Sequence, residues 1–279
     1  MHKTLVNVIC AFVPKRKCRH RLRNKLLHKV KNTPVKESPK PILTPVAQTK
    51  PANPAFVIKG QNNKLILIDE QGNEKPMTTN LPGMKINVYG DNNTIKIHLP
   101  IKFVNSYIVI GNDNVNIKNN CTYCEIGSSK GTLVVHIAMK AGHGQRCIIG
   151  KETTIGGAFI ALTEKSQCFI GEDCMLSDMI QIYAADGHSI LDSKTGEVLN
   201  RADTPLIIGN HVWIGHSARL TKNTHIYDNS IVACGAVACK DYKESGVVIA
   251  GNPGQIVKKG ITWSRLNSYG IQKQKENKK

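Results

Sequence analysis

From Ile208 the chain can be cut in sixes: IGNHVW, IGHSAR, LTKNTH, IYDNSI, VACGAV, ACKDYK. An aliphatic residue opens nearly every block, and the fifth place holds the small or modest Val212, Ala218, Thr224, Ser230 and Ala236, with Tyr242 as the large exception. A period of six fits neither an amphipathic helix, which repeats near 3.6, nor an ordinary strand, which repeats at 2. It fits a chain that turns a corner every six residues and buries an aliphatic side chain at each turn. Three such sides close a triangular coil of about 18 residues, and stacked coils make a parallel β-helix. The same sixes begin at Ile149 with IGKETT and IGGAFI and resume after a three-residue slip with IGEDCM and LSDMIQ. Residues 149–256 are therefore the regular part of the stack.

The register breaks between His188 and Pro205, where a polar segment rich in Asp, Ser, Thr and Gly is too long for a corner. An insertion into a stack must leave it as an outer loop, and such loops tend to carry sites. Upstream, VIKGQNNKLILI, INVYGDNNTIKIH and IVIGNDNVNIK share aliphatic alternation broken by Gly with Asn or Asp. Gly60, Gly90 and Gly111 are turn formers there. Residues 56–148 thus read as irregular coils of the same helix, with a separate small β-domain as the competing reading. After the last coil Tyr242–Gly251 exits, and Val257–Ile271 is expected to be a short helix covering the open end. Residues 257–279 then finish in the polar tail QKQKENKK. The fold class is all-β.

Aromatic residues make up 5% of the chain, which a narrow aliphatic column tolerates. The formal charge of +18 is uneven, because residues 1–31 hold ten Lys or Arg and no acid. That basic arm points to an anionic partner, and peripheral contact with an anionic membrane is expected rather than nucleic acid. The apolar run LVNVICAFV precedes PKRKCRHRLRNKLLHKVK, the reverse of a secretory signal, so a cytoplasmic protein is expected. Residues 32–55, with Pro34, Pro39, Pro41, Pro45, Pro51 and Pro54, read as an extended linker. Nine cysteines show no framework, and the lone CxxC of Cys121 and Cys124 has no second pair. Reduced thiols and no bound metal are expected.

The runs IGNHVWIG, VACGAVACKD and AGNPGQIVKKGITW resemble the C-terminal half of hexapeptide-repeat acyltransferases, and most nearly the bacterial capsule and lipopolysaccharide O-acetyltransferases. The likeness runs from about Ile149 to Trp263. It implies a left-handed parallel β-helix, a homotrimer, and direct transfer from acetyl-coenzyme A to a polysaccharide or oligosaccharide hydroxyl. Handedness comes from the resemblance alone, since crossover connections are usually right-handed.

The segment ADGHSI resembles the family stretch that supplies the catalytic histidine, which makes His188 the expected general base. A neutral imidazole can take the proton of a sugar hydroxyl as its oxygen attacks a thioester. Asp186 and Asp192 flank it, and Asp186 is the candidate to hold the imidazole tautomer. Trp213, at the sixth place of a block, should face outwards and line the acceptor or pantetheine slot, or be covered by a neighbouring subunit. Gly215, Ser217, Ala233, Gly235 and Ala236 are expected to leave backbone groups free for the pantetheine arm. The Gly215 or Ser217 amide would then face the thioester oxygen. Lys240, Lys258 and Lys259 are placed to meet the coenzyme phosphates. His211 and His216 resemble the zinc pair of β-helix carbonic anhydrases, but only His143 and His188 offer a third ligand, and no metal site is expected. The competing functions are N-acetylation of an amino sugar nucleotide and, without catalysis, docking on a glycan or membrane.

Overall fold

The computed structural model describes residues 56–112 and 119–277. The basic arm and the linker expected at residues 1–55 lie outside the described residues. From Val57 to Ala250 the chain winds through three faces of parallel strands, with Glu74–Pro76 added antiparallel to Lys64–Ile68. Face 1 carries Met175–Leu176, Trp213–Ile214, Ile231–Val232 and Val248–Ala250. Face 2 carries Val57–Lys59, Met84–Tyr89, Ser106–Ile110, Ile180–Tyr183, Arg219–Leu220 and Val237–Ala238. The long strands Thr132–Gly142 and Thr154–Glu164 pass through both, rounding the corner between them. Face 3 carries Lys64–Ile68, Thr94–His98, Tyr123–Ile126, Arg146–Ile149, Gln167–Ile170, Leu206–Ile208 and His225–Ile226. Strands before residue 149 and after it share the same ladders; Cys124, for example, pairs with Cys147 and Cys147 with Cys168.

What holds the coils together is legible in the registers. On face 2 Ile86, Ile108, Ile137, Ile160, Ile182 and Leu220 stack in order, each with 0% exposure. On face 3 the thiols of Cys124, Cys147 and Cys168 stand in register between Ile95 and Leu206, all buried and free. Each fully buried aliphatic side chain contributes about 1.5–3 kcal/mol, which offsets the entropy of ordering the strands that carry it.

The sixes map directly onto this geometry. First places (Ile208, Ile214, Leu220, Ile226, Val232, Ala238) and fifth places (Val212, Ala218, Thr224, Ser230, Ala236) are all buried. The structure adds a further regular place, the fourth. His211, Ser217, Asn223 and Asn229 there have φ of 51°, 57°, 60° and 59°, and Gly235 has φ 69°. The left-handed backbone at that place turns the corner, and Asn tolerates it better than most residues. Tyr242 also faces inwards: it closes the column, donating its hydroxyl to the Gly254 carbonyl at 3.2 Å.

The C-terminal end differs from expectation. Gln255–Lys258 is a strand antiparallel to Val248–Ala250, because the turn at Gly251–Gly254, with Gly251 at φ 94°, sends the chain back on itself. The helix α1 spans Ser268–Glu276, begins at the N-cap Asn267 and buries no residue. The end of the column is covered by Tyr242 and the hairpin instead.

Candidate functional site

The chain leaves face 2 after Tyr183 and re-enters face 3 at Leu206. Within this loop Ile190 to Leu199 forms a hairpin, with Asp192 N donating to the Glu197 carbonyl and Leu199 N to the Ile190 carbonyl, each at 2.8 Å. Asp192 shapes its tip, accepting from Lys194 N at 2.9 Å and Thr195 N at 2.8 Å.

His188 stands exposed at the hairpin's base. The Asn200 amide holds it in place, donating to the His188 carbonyl at 2.9 Å and to Asp186 Oδ2 at 2.6 Å. Lys222, from the following coil, pairs with the same carboxylate oxygen. Burial pushes the Asp186 carboxyl up, but Lys222 and Asn200 outweigh it and hold it below the usual aspartate value. Among the described residues no hydrogen bond joins Asp186 to the His188 ring, so the expected tautomer clamp is replaced. Asp186 anchors the loop backbone beside His188 and leaves the imidazole open. Lys222 and Asn200 escaped the sequence reading; the one hint for Lys222 is its outward third place in LTKNTH.

Trp213 lies outwards on face 1, with 37% exposure, and one side of it meets Trp263 at a ring distance of 6.3 Å and a tilt of 50°. His188, at the exit from face 2, and Trp213, on face 1, therefore belong to different sides of one coil stack. The small residues nearby do not offer free amides as expected. Gly215 N donates to Val232 O, Ser217 N to Asp178 O, Ala233 N to Ile249 O, Gly235 N to His216 O and Ala236 N to Ala233 O. These amides are consumed by the coil-to-coil ladder and its turns, which leaves no oxyanion donor at Gly215 or Ser217. Ala236 points into the core at 1% exposure. Gly215 is required by packing: a Cβ there would lie 2.7 Å from Cys234 N.

Lys240 donates to Gln255 Oε1 at 2.6 Å and lies 5.5 Å over the Tyr242 ring. Lys258 is exposed on the hairpin, and Lys259 pairs with Glu244 at 2.6 Å. His211 and His216 are each taken by a separate aspartate. His211 Nδ1 meets Asp173 at 2.7 Å and His216 Nδ1 meets Asp178 at 2.6 Å. Among the described residues no group of three His, Cys, Asp or Glu is set to hold a metal ion. A groove of about 310 Å³ opens on face 2, lined by His136, Phe159, Met179 and Gln181. Met179 in the groove (67%) and Ile190 (59%), Leu191 (55%) and Leu199 (62%) on the loop are exposed apolar side chains. Among the described residues no helix is long and apolar enough to cross a membrane.

No family model matches the chain. It is 34% identical over 127 residues to a polysialic acid O-acetyltransferase of Escherichia coli O1:K1, a match covering 46% of this chain and 41% of that protein. It is 32% identical over 189 residues to the polysialic acid O-acetyltransferase of Neisseria meningitidis, covering 63% of this chain and 87% of that one. Among solved structures, the polySia-specific acetyltransferase NeuO superposes with a TM-score of 0.61 at 22% identity, over 80% of this chain and 98% of that one. The polysialic acid O-acetyltransferase OatWY gives 0.50 at 26% identity, over 79% and 98%. The shared fold is the left-handed parallel β-helix.

Proposed function

The chain belongs to the hexapeptide-repeat O-acetyltransferases, the family of the two polysialic acid enzymes above, and from that premise we propose that it transfers acetyl from acetyl-coenzyme A to a hydroxyl of an acidic bacterial surface polysaccharide. The acceptor class is the one named for those relatives. The observation that carries the mechanism is His188, exposed at the base of the loop that leaves the stack and anchored there by Asn200, Asp186 and Lys222. His188 takes the proton of the attacking hydroxyl as the new C–O bond forms at the thioester carbon. When the C–S bond breaks, the same imidazolium returns the proton to the coenzyme thiolate. Both substrates bind together and no acetyl-enzyme forms.

The site is completed by a second copy of the chain. Trp213 and His188 lie on different sides of one stack, and the apolar hairpin that carries Ile190, Leu191 and Leu199 stands uncovered. A homotrimer sets the loop of one copy against face 1 of the next and builds three equal sites by cyclic symmetry. In each, the pantetheine arm lies against the exposed face of Trp213. Lys240 and Lys258 meet the phosphates as point charges. Residues 1–31 hold this cytoplasmic enzyme against anionic lipid.

Purified protein given labelled acetyl-coenzyme A and a de-O-acetylated acidic capsule oligosaccharide should place the label on the sugar, where mild base releases it. Label that survives mild base would mean N-acetylation, and no transfer to any acceptor would mean a docking protein.

A further inference from the structure

Residues 261–265 run back from the C-terminal hairpin along the corner between faces 3 and 1, from the coil of Gly246 to the coil of Glu152. The crossing starts with Ile261 N on the Gly246 carbonyl at 2.9 Å. Arg265 then grips two coils at once. Its guanidinium donates to Asp173 Oδ1 at 3.1 Å, Thr154 Oγ1 at 2.8 Å, the Cys174 carbonyl at 3.0 Å and the Glu152 carbonyl at 3.3 Å. A planar fork serves this many acceptors in a way an ammonium cannot. On the third coil Trp263 is locked to His211. The indole Nε1 donates to the His211 carbonyl at 2.7 Å, and the His211 ring lies on the indole at 4.2 Å and 10°. His211 Nε2 faces the Trp263 carbonyl at 3.1 Å, while Nδ1 faces Asp173. Trp263 is only 8% exposed, and its ring is the surface against which Trp213 rests.

So many bonds on five residues exceed what is needed to tie down a tail, and they converge on one aromatic contact. An outward Trp on a strand two residues wide has little of its own to fix its rotamer. We propose that the strap is a positioning element for acyl transfer: Trp263, clamped by His211 and Arg265, holds the Trp213 indole as the wall of the acyl-donor slot. The proposal rests on the reading of Trp213 as that wall. Trp263 is a positioning residue, since it reaches substrate only through Trp213. Misplacing a slot wall by about 1 Å is enough to cost about 10²-fold in rate.

The test exploits a chain with two tryptophans. Trp263→Ala and Arg265→Ala should raise KM for acetyl-coenzyme A and lower kcat/KM about 10²-fold, with assembly state unchanged. Trp263→Phe keeps a ring under Trp213 and should recover to within about tenfold of wild type. In a Trp213→Ala background, adding Trp263→Ala should cost nothing further, because a shared effect is not additive. With Trp263→Phe as host, Trp213 is the sole indole, and adding Arg265→Ala should shift its emission to the red. Wild-type kinetics in both strap variants, beside an impaired Trp213→Ala, would overturn the strap proposal alone. Additive losses in the cycle would make the strap merely structural and overturn it too. Full activity in Trp213→Ala would remove the wall reading, and the strap's role with it. If Trp263→Ala fails to fold, the Trp263→Phe kinetics and the emission shift decide the matter.

Discussion

The coils before residue 149 and those after it solve one problem, how to turn a corner, in two ways. Both place a left-handed residue there, Asn62 and Asn92 in the first region, Asn223 and Asn229 in the second. The next residue along the chain differs. In the second region it is the small, buried Thr224 or Ser230, and equivalent corners recur 18 residues apart, as in the bond from Asn210 N to Asp228. In the first region it is another asparagine, and the corners recur 30 residues apart. Asn93 donates through N and Nδ2 to Asn63 Oδ1, each at 3.0 Å. Asn93 Nδ2 also reaches the Asn119 carbonyl at 3.0 Å, and Asn119 Nδ2 reaches Met139 O at 2.8 Å and Gln145 Oε1 at 2.6 Å. A buried amide ladder lines the corner of these coils, their strands run to five or six residues, and between Asn62 and Asn92 the chain also doubles back at Glu74–Pro76, antiparallel to Lys64–Ile68. Small residues line the corners of the later coils, whose faces hold strands of two. The candidate chemistry sits only on the narrow coils and their loop.

That division can be broken by substitution. His188→Ala should leave melting unchanged and lower turnover roughly 10²–10⁴-fold; near wild-type turnover would take the base out of the mechanism. Asn119→Ala should destabilise by about 3 kcal/mol, because orphaned buried partners cost about 1–3 kcal/mol each. Ser230→Ala, whose hydroxyl makes two longer contacts of 3.3 Å and leaves one buried donor, Val247 N, without it, should cost less, about 1 kcal/mol. Equal shifts in urea midpoint would show that the two corners do not differ energetically.

Acid gives a smaller effect. Burial raises the Asp173 carboxyl, but His211 and Arg265 hold it below the ordinary aspartate value. A depressed carboxyl contributes stability above its unfolded pKa and loses it as pH falls through the folded one. The strap should therefore loosen in the acid range beneath ordinary aspartate titration. Tryptophan emission should shift there before far-ultraviolet dichroism does, since the amide ladder carries no titratable group. Simultaneous loss would contradict this order. Smallest of all, deleting residues 1–50 should leave acetylation of a short soluble acceptor unchanged while abolishing salt-sensitive binding to anionic vesicles. Lost activity on that acceptor would instead place the arm in the acceptor site.

The narrow coils were legible because inward places repeat at a fixed spacing, so Ile208 to Ala238 announce the stack. The wide coils were read as irregular coils of the same helix, but their buried amides were not foreseen, because Asn93 and Asn119, at 1% and 0% exposure, look like surface turn residues in sequence. His188 was singled out as a candidate through ADGHSI, and the structure puts it exposed at the base of the loop. Two of the anchors were not foreseen, since Asn200 reaches the His188 carbonyl from twelve residues away and Lys222 reaches Asp186 from the next coil. The free amides expected at Gly215 and Ser217 failed for a related reason. A ladder partner lies a full coil away, and local composition does not show it.

The most direct test is complementation between copies. His188→Ala and Trp213→Ala chains, each strongly impaired alone, are co-refolded in equal amounts. If one copy supplies the base and its neighbour the slot wall, about a quarter of the interfaces regain both residues by random assembly, and about that share of wild-type transfer should return. A mixture no more active than its components would contradict a site built from two copies.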